Sequence, residues 1–312
     1  MKAIHLKSMS PGVAIVTGGS KRIGRSIIRK LSSLGWKVII HYNSNKIDAL
    51  NLQKEIQKNG GYASIIKANL NNPKAAKELI SKSEKKFGKL TLLVNNASVF
   101  ENDSVKSLTI ESWDIHNNVN TKAPLLLSQS FAKLLPKKEP GIIINIIDQR
   151  VFFPRPDFIS YSSSKNSLLW LTKVLAQALS PKIRVCAIGP GPTLKGARQS
   201  SNDFKNQSES VPLGNGSSPE EVSQAIEFIL NSASFTGQMI TLDGGEHLDW
   251  IKSEDNPPES ATSVLNSLEI HIPLADIIDK SALIKNTLDP KFSSSFFKSL
   301  TAFIDLLYCK VT

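Results

Sequence analysis

The sequence predicts an α/β fold: a doubly wound parallel sheet in one domain, followed by a C-terminal extension. Seven short β-branched apolar runs point to it, at 13–17, 37–41, 63–67, 90–95, 141–147, 183–188 and 239–242. They show little polar alternation, which is the pattern of strands buried on both faces. Segments long enough for crossover helices separate them, at 23–34, 47–58, 73–87, 119–135, 160–179 and 219–231. Repeated strand–helix–strand units of this kind wind into a parallel sheet with helices on both sides.

The elements follow in order. The first strand (13–17) runs into Gly18-Gly19 and the first helix, and the second strand ends at His41-Tyr42. The third strand leads through Asn69-Leu70 to a helix opened by Pro73, whose fixed φ suits a first turn. The fourth strand ends in Asn95-Asn96-Ala97-Ser98, and the fifth is followed by Asp148. The sixth leads into Gly189-Pro190-Gly191-Pro192-Thr193, Pro219 opens the last helix, and the seventh ends in Asp243-Gly244-Gly245. After residue 250 the composition changes. Residues 251–264 are polar and rich in Pro and Ser, which reads as a linker. In the extension 265–312, residues 265–274 form a candidate strand. Phe292, Phe296, Leu300, Phe303, Ile304 and Leu307 recur at helical spacing, as in a helix docking on the main domain or on a neighbouring subunit.

Composition narrows the class. The chain has 312 residues, 40 % apolar and 21 % charged, which excludes a disordered or collagen-like polymer. No apolar stretch approaches the roughly 20 residues that span a bilayer, and residues 1–10 lead into no signal-peptide core. Two cysteines, Cys186 and Cys309, make no disulfide framework, so a reducing, cytoplasmic compartment is expected. The net charge of +11 comes from lysines scattered along helices such as 74–89, without a basic block interleaved with aromatics. No nucleic-acid partner, membrane or metal is therefore expected; a small anionic ligand is.

Two local patterns carry chemistry. Residues 13–25 read as a strand, a glycine turn and a helix start, where backbone N–H groups can meet phosphate oxygens. Residues 19–26 nearly match a P-loop, but Arg25 stands where that loop needs lysine. The alternative is a dinucleotide turn on Thr17, Gly18 and Gly24. The second pattern is Tyr161-Ser-Ser-Ser-Lys165, whose i,i+4 spacing puts phenol and ammonium on one helix face. A nearby cation is expected to lower the tyrosine pKa from about 10 and so make it a usable proton donor.

Six motifs in one order (the glycine turn, Asn95–Ser98, Asn120, Tyr161/Lys165, Gly189–Thr193 and Asp243–Gly245) resemble the short-chain dehydrogenase/reductase family from residue 13 to about 250. Arg22 in the turn, Phe100, and Asp148 thirteen residues before Tyr161 depart from the general pattern. With His41-Tyr42 and 244–248 they resemble its pteridine reductase subgroup. The resemblance implies Asp148, Tyr161, Lys165 and Asn120 as catalytic residues. It implies cofactor contacts from Thr17, Gly18, Lys21, Arg22, Ile23, Gly24, His41, Tyr42, Asn43, Ser44, Asn69, Leu70, Asn96, Ala97, Ser98, Tyr161, Lys165, Pro190 and Gly191. Arg22, Ser98, Phe100, Asp148 and Tyr161 would meet the substrate. A homotetramer is also implied.

Reducing a C=N bond requires a proton on ring nitrogen, and a carboxylic acid relaying one suits that task. An aromatic face suits a flat heterocycle. No carboxylate follows the second strand until Asp48, and Asn43, Ser44, Lys21, Arg22 and Lys46 can favour a 2′-phosphate, so NADPH is the expected cofactor. The expected function is NADPH-dependent reduction of a dihydropterin or dihydrofolate. A 3-oxoacyl or other carbonyl reductase is the alternative enzyme, and a non-catalytic NADP-binding protein the alternative of another class.

Overall fold

In the computed structural model, residues 9–196 and 199–248 are described. The linker and extension expected at 251–312 lie outside them. Seven parallel strands form one sheet in the order β3-β2-β1-β4-β5-β6-β7. They are β1 (Val13–Val16), β2 (Lys37–Tyr42), β3 (Ala63–Lys67), β4 (Leu92–Asn95), β5 (Gly141–Ile146), β6 (Ile183–Pro190) and β7 (Met239–Leu242). The helices are α1 (Arg22–Ser33), α2 (Lys46–Lys58), α3 (Pro73–Phe87), α4 (Ile110–Asn117), α5 (Ala123–Leu134), α6 (Ile159–Leu179), α7 (Ser201–Glu209) and α8 (Pro219–Asn231). Among the described residues no helix is long and apolar enough to cross a membrane.

Side chains alternate across each strand, so each sends its apolar residues to two cores. Ala14, Val16, Val38, Ile40, Val94, Ile144 and Ile188 pack with Ile27, Leu31, Ile56 and Ile226 under α1, α2 and α8. Val13, Ile15, Ile39, Leu93, Ile143 and Val185 pack with Leu79, Leu127, Phe131 and Ala176 under α3, α5 and α6. Two full cores leave the polar work to the C-terminal ends of the strands. The strand order reverses between β1 and β4, and that is where a doubly wound sheet opens its ligand crevice.

Two helical segments differ from the sequence expectation. The helix expected at 119–135 begins instead at Ile110 as α4, passes through a π-helical turn (Asn118–Lys122) and continues as α5. The weak amphipathic pattern of 110–117 hid that start; the Thr109 hydroxyl, accepting from Ser112 N, caps it. Helix α7 has no buried residue and so shows no apolar stripe. Its capping box, Ser200 with Asp203, was its legible signal.

The first turn after β1 is locked from behind by His41. Its Nδ1 accepts from Gly18 N at 3.0 Å, and its Nε2 lies 3.1 Å from the Ala68 carbonyl. Those partners require a neutral ring with the proton on Nε2. Burial pushes the ring down to about 4, against the pull of the Ala68 hydrogen bond. An unfolded histidine titrates near 6.5, so His41's contribution to stability is complete above about pH 6.5 and lost as pH falls through about 4. Lowering pH from about 7.5 to 5 is expected to cost about 2 kcal/mol through this residue. Urea unfolding of parent and His41→Gln at both pH values checks this: the variant's pH-dependent loss is expected to be smaller by that amount.

Candidate active site

The glycine turn is shaped for close approach. Gly18 has φ +61, and a Cβ on Gly24 would overlap the Gly18 carbonyl. Thr17 and Asn96 lace this turn to the end of β4. The Thr17 hydroxyl accepts from Asn96 N and Ala97 N, each at 2.9 Å, and Asn96 Nδ2 donates to the Thr17 and Gly18 carbonyls at 2.8 and 3.2 Å. Lys21 precedes α1 and Asn45 precedes α2, and neither side chain caps its helix, whereas Asn72, Thr109, Ser200 and Ser218 cap theirs. The first N–H groups of α1 are thus left for an anion. Asn43 and Ser44 are exposed at the end of β2, and Asn69 is exposed after β3. These features fit a dinucleotide lying across β1 and β4.

Other expected cofactor residues support the crevice from within. Tyr42 and Leu70 are buried in the two cores, and both ring nitrogens of His41 are engaged by backbone. Pro190 is buried at the end of β6, and Gly191 N donates to the Leu242 carbonyl at 2.8 Å. A Cβ on Gly191 would press on Asp243 at 2.6 Å. Ile23 packs against the core on the α1 side. Arg22, where glycine was the family expectation, adopts φ +52. Its guanidinium crosses the crevice to donate to the Lys195 and Leu194 carbonyls at 2.8 and 3.0 Å.

At the end of β5 the site turns to acid–base chemistry. The Tyr161 hydroxyl donates to Asp148 Oδ2 at 2.7 Å, and Asp148 Oδ1 accepts from Arg150 N at 2.9 Å, so the carboxylate both caps a short turn and holds the phenol. Lys165 Nζ donates to the Ile146 carbonyl at 2.9 Å and stands 5.6 Å from the Tyr161 ring centroid. Burial holds the Asp148 carboxyl above its usual range, although the hydrogen bonds from Tyr161 and Arg150 pull the other way. Burial lowers Lys165 to about 8.

Tyr161 corrects the sequence expectation. Its pKa lies well above 10: burial comes first, and the neighbouring Asp148 carboxylate adds to it by opposing a second negative charge. The expected depression by Lys165 does not arise in the protein alone, because the ammonium is spent on the Ile146 carbonyl rather than on the phenolic oxygen.

Phe100 is 46 % exposed beside these groups. Its ring stacks on Phe158 at 4.6 Å and 8°, and meets Tyr161 edge-on at 4.6 Å. One face of Phe100 is thus covered by Phe158. Phe158 was not singled out in the sequence; it sits at φ +54 before α6, with the Arg150 guanidinium 4.8 Å over its ring. Asp103 was also missed. It accepts from Ser160 N at 3.0 Å and Ser112 Oγ at 2.9 Å, and so caps the helix that carries Tyr161. Neither residue belongs to a recurring motif, so neither left a signal.

Asn120 joins these parts from the π-helical turn. Its Oδ1 accepts from Val99 N at 2.8 Å and Ser98 Oγ at 3.2 Å. Its Nδ2 donates to the Val99 carbonyl at 2.9 Å and Ser164 Oγ at 3.0 Å. It ties the loop bearing Ser98 and Phe100 to the catalytic face of α6.

A seven-stranded doubly wound sheet with a dinucleotide crevice and a Tyr/Lys pair on the helix after β5 defines a nucleotide-dependent oxidoreductase. The family model for short chain dehydrogenase matches residues 12–206, and the chain belongs to that family. A 3-oxoacyl-[acyl-carrier-protein] reductase of Synechocystis is 30 % identical over 244 residues, 77 % of this chain and 98 % of the relative. The FolM alternative dihydrofolate reductase 1 of Brucella canis, solved with NADP, is 39 % identical with a TM-score of 0.76, covering 81 % of this chain and 99 % of that one. The Brucella suis protein of the same name, also solved with NADP, is 40 % identical with a TM-score of 0.75, covering 79 % and 98 %.

Removing the Asn120 amide strands the Val99 backbone groups, which is expected to destabilise the fold by about 1–3 kcal/mol. Thermal unfolding of Asn120→Ala against the parent checks it, with a melting temperature several degrees lower expected.

Proposed function

We propose that the protein is an NADPH-dependent reductase of a dihydropterin, dihydrofolate included, and that it acts on a C=N bond. The observation that carries the reading is the hydrogen bond between Tyr161 and Asp148, placed beside the exposed ring of Phe100. A carbonyl reductase needs only a neutral hydroxyl at the position of Asp148. A carboxyl with a raised pKa there supports proton delivery to a ring nitrogen. The likeness to the two Brucella dihydrofolate reductases supports the same reading.

NADPH, when bound, supplies the hydride. Thr17, Gly18, Ile23, Gly24, Asn96, Ala97, Pro190 and Gly191 would shape its crevice. Asn43 and Ser44, with Lys21 and Lys46, would face its 2′-phosphate, and Asn69 its adenine, with Leu70 supporting that edge from the core. Lys165 would hold the nicotinamide ribose. Tyr161 would give its hydroxyl proton to the ring nitrogen, and Asp148, entering as the neutral acid that its raised pKa favours, would pass its own proton to the resulting phenolate and be left as the carboxylate. The phenol stays protonated at neutral pH, and positive charge on the bound nicotinamide would lower its pKa toward that of a usable donor. Ser98, Arg22 and the free side of Phe100 would position the flat substrate, with Asn120 fixing the loop that bears Ser98 and Phe100.

A second reading, reduction of a 3-oxoacyl thioester, is favoured by the Synechocystis relative. A panel of dihydrobiopterin, dihydrofolate and an acetoacetyl thioester, with NADPH oxidation followed optically, separates the two. Tyr161→Phe is expected to lower kcat by about 10²–10⁴-fold while NADPH binding persists. Asp148→Ser is expected to lose pterin turnover by a comparable factor. A serine variant as fast as the parent on pterins would move the thioester reading ahead.

The assembly is inferred to be a cytoplasmic homotetramer that pairs through α6. That helix leaves Trp170 63 % exposed in the single chain, beside Leu171 and Thr121. Sedimentation at micromolar concentration is expected to show the tetramer, and Trp170→Glu to shift it toward smaller species.

A further inference from the structure

The cations at the cofactor edge already have a partner. Lys21 Nζ lies 3.0 Å from Asp48 Oδ2, and Arg25 Nη2 lies 3.5 Å from Asp48 Oδ1. Arg25 is held from a second side, its Nε donating to the Ser20 carbonyl at 3.1 Å. One carboxylate on the first turn of α2 therefore gathers two cations of the glycine turn. It stands just past Asn43 and Ser44 at the end of β2, where doubly wound nucleotide-binding sheets place the adenosine ribose.

The carboxylate is a poor candidate for holding a 2′-hydroxyl. It comes from the helix rather than from the strand end, and both of its oxygens already face cations. It also opposes a phosphate in two ways, by repelling it directly and by competing for the groups that would neutralise it. Lys46, exposed two residues earlier, adds positive charge to the same turn, while Arg29 is bound in both directions by Glu55, at 2.7 and 2.9 Å.

We propose that Asp48 is a built-in counter-ion that competes with the cofactor's 2′-phosphate for Lys21 and Arg25, and so sets the affinity and salt sensitivity of NADPH binding. The proposal rests on the NADPH reading. Its consequence is that the site is tuned below its attainable affinity, which favours release of the spent nucleotide. The Asp48 side chain is 34 % exposed, so the ion pairs are partly screened and exchange for phosphate without unfolding the turn.

Calorimetric titration of the full chain with 2′,5′-ADP and with 5′-AMP tests this without turnover. Asp48→Asn is expected to bind 2′,5′-ADP about three- to tenfold tighter than the parent at low salt, with 5′-AMP unchanged. The gain should shrink at high salt. Lys21→Gln should weaken 2′,5′-ADP more in the Asp48→Asn background than in the parent, since only there is the ammonium wholly committed to phosphate. An Asp48→Asn variant that binds 2′,5′-ADP no tighter overturns the proposal. A weaker 5′-AMP complex also overturns it, by making Asp48 a ribose ligand. A parent that binds 2′,5′-ADP no better than 5′-AMP removes the NADPH reading itself, an outcome distinct from either.

Discussion

A parallel sheet covered by helices on both faces has no polar surface except at the ends of its strands, and that constraint organises this protein. Residues from Val13 to Val16, Leu92 to Asn95 and Gly141 to Ile146 are all buried. Each chemical group therefore appears one or two residues past the last residue of its strand: Thr17 and Gly18 after β1, Asn96 after β4, Asp148 after β5. Parallel strands all end on the same side, so these groups converge without any need for sequence proximity. Short side-chain hydrogen bonds then set the distances between the strand ends, as Thr17 and Asn96 do between β1 and β4.

Within that convergence the electrostatics at the end of β5 are set chiefly by burial. Asp148, Tyr161 and Lys165 are each shifted toward their neutral forms, the carboxyl and phenol upward and the ammonium to about 8. The hydrogen bond from Tyr161 to Asp148 orders them, while the Ile146 carbonyl keeps Lys165 to one side. The protein alone therefore keeps the phenol protonated at neutral pH.

The aromatic wall shows how a site extends beyond its motifs. Phe100 was conspicuous because it follows a recognisable Asn-Asn-Ala-Ser segment, yet its ring is set by Phe158 and, behind that, by Arg150. Phe158 comes from the loop leading into α6, 58 residues further along the chain in register with nothing the sequence displays. Asp103 acts in the same hidden way, holding the start of α6 and with it the position of Tyr161. Such residues work through contact alone, and contact between distant segments has no local signature.

By itself the sequence determined the class of fold, because seven buried-strand runs spaced by amphipathic segments admit few arrangements other than a doubly wound parallel sheet. It also marked the groups able to do chemistry, since Tyr161 and Lys165 must share a helix face and the glycine turn must admit close backbone approach. Only the tertiary structure decided what state those groups are in. The Tyr161 phenol is held up rather than lowered, the α5 helix is preceded by a hidden α4 and a π-helical turn, and Lys21 and Arg25 are already paired with Asp48. The physical reason is common to all three. Periodicity and spacing report what a segment does along its own axis, whereas desolvation, ion pairing and helix continuity depend on which other segments pack against it.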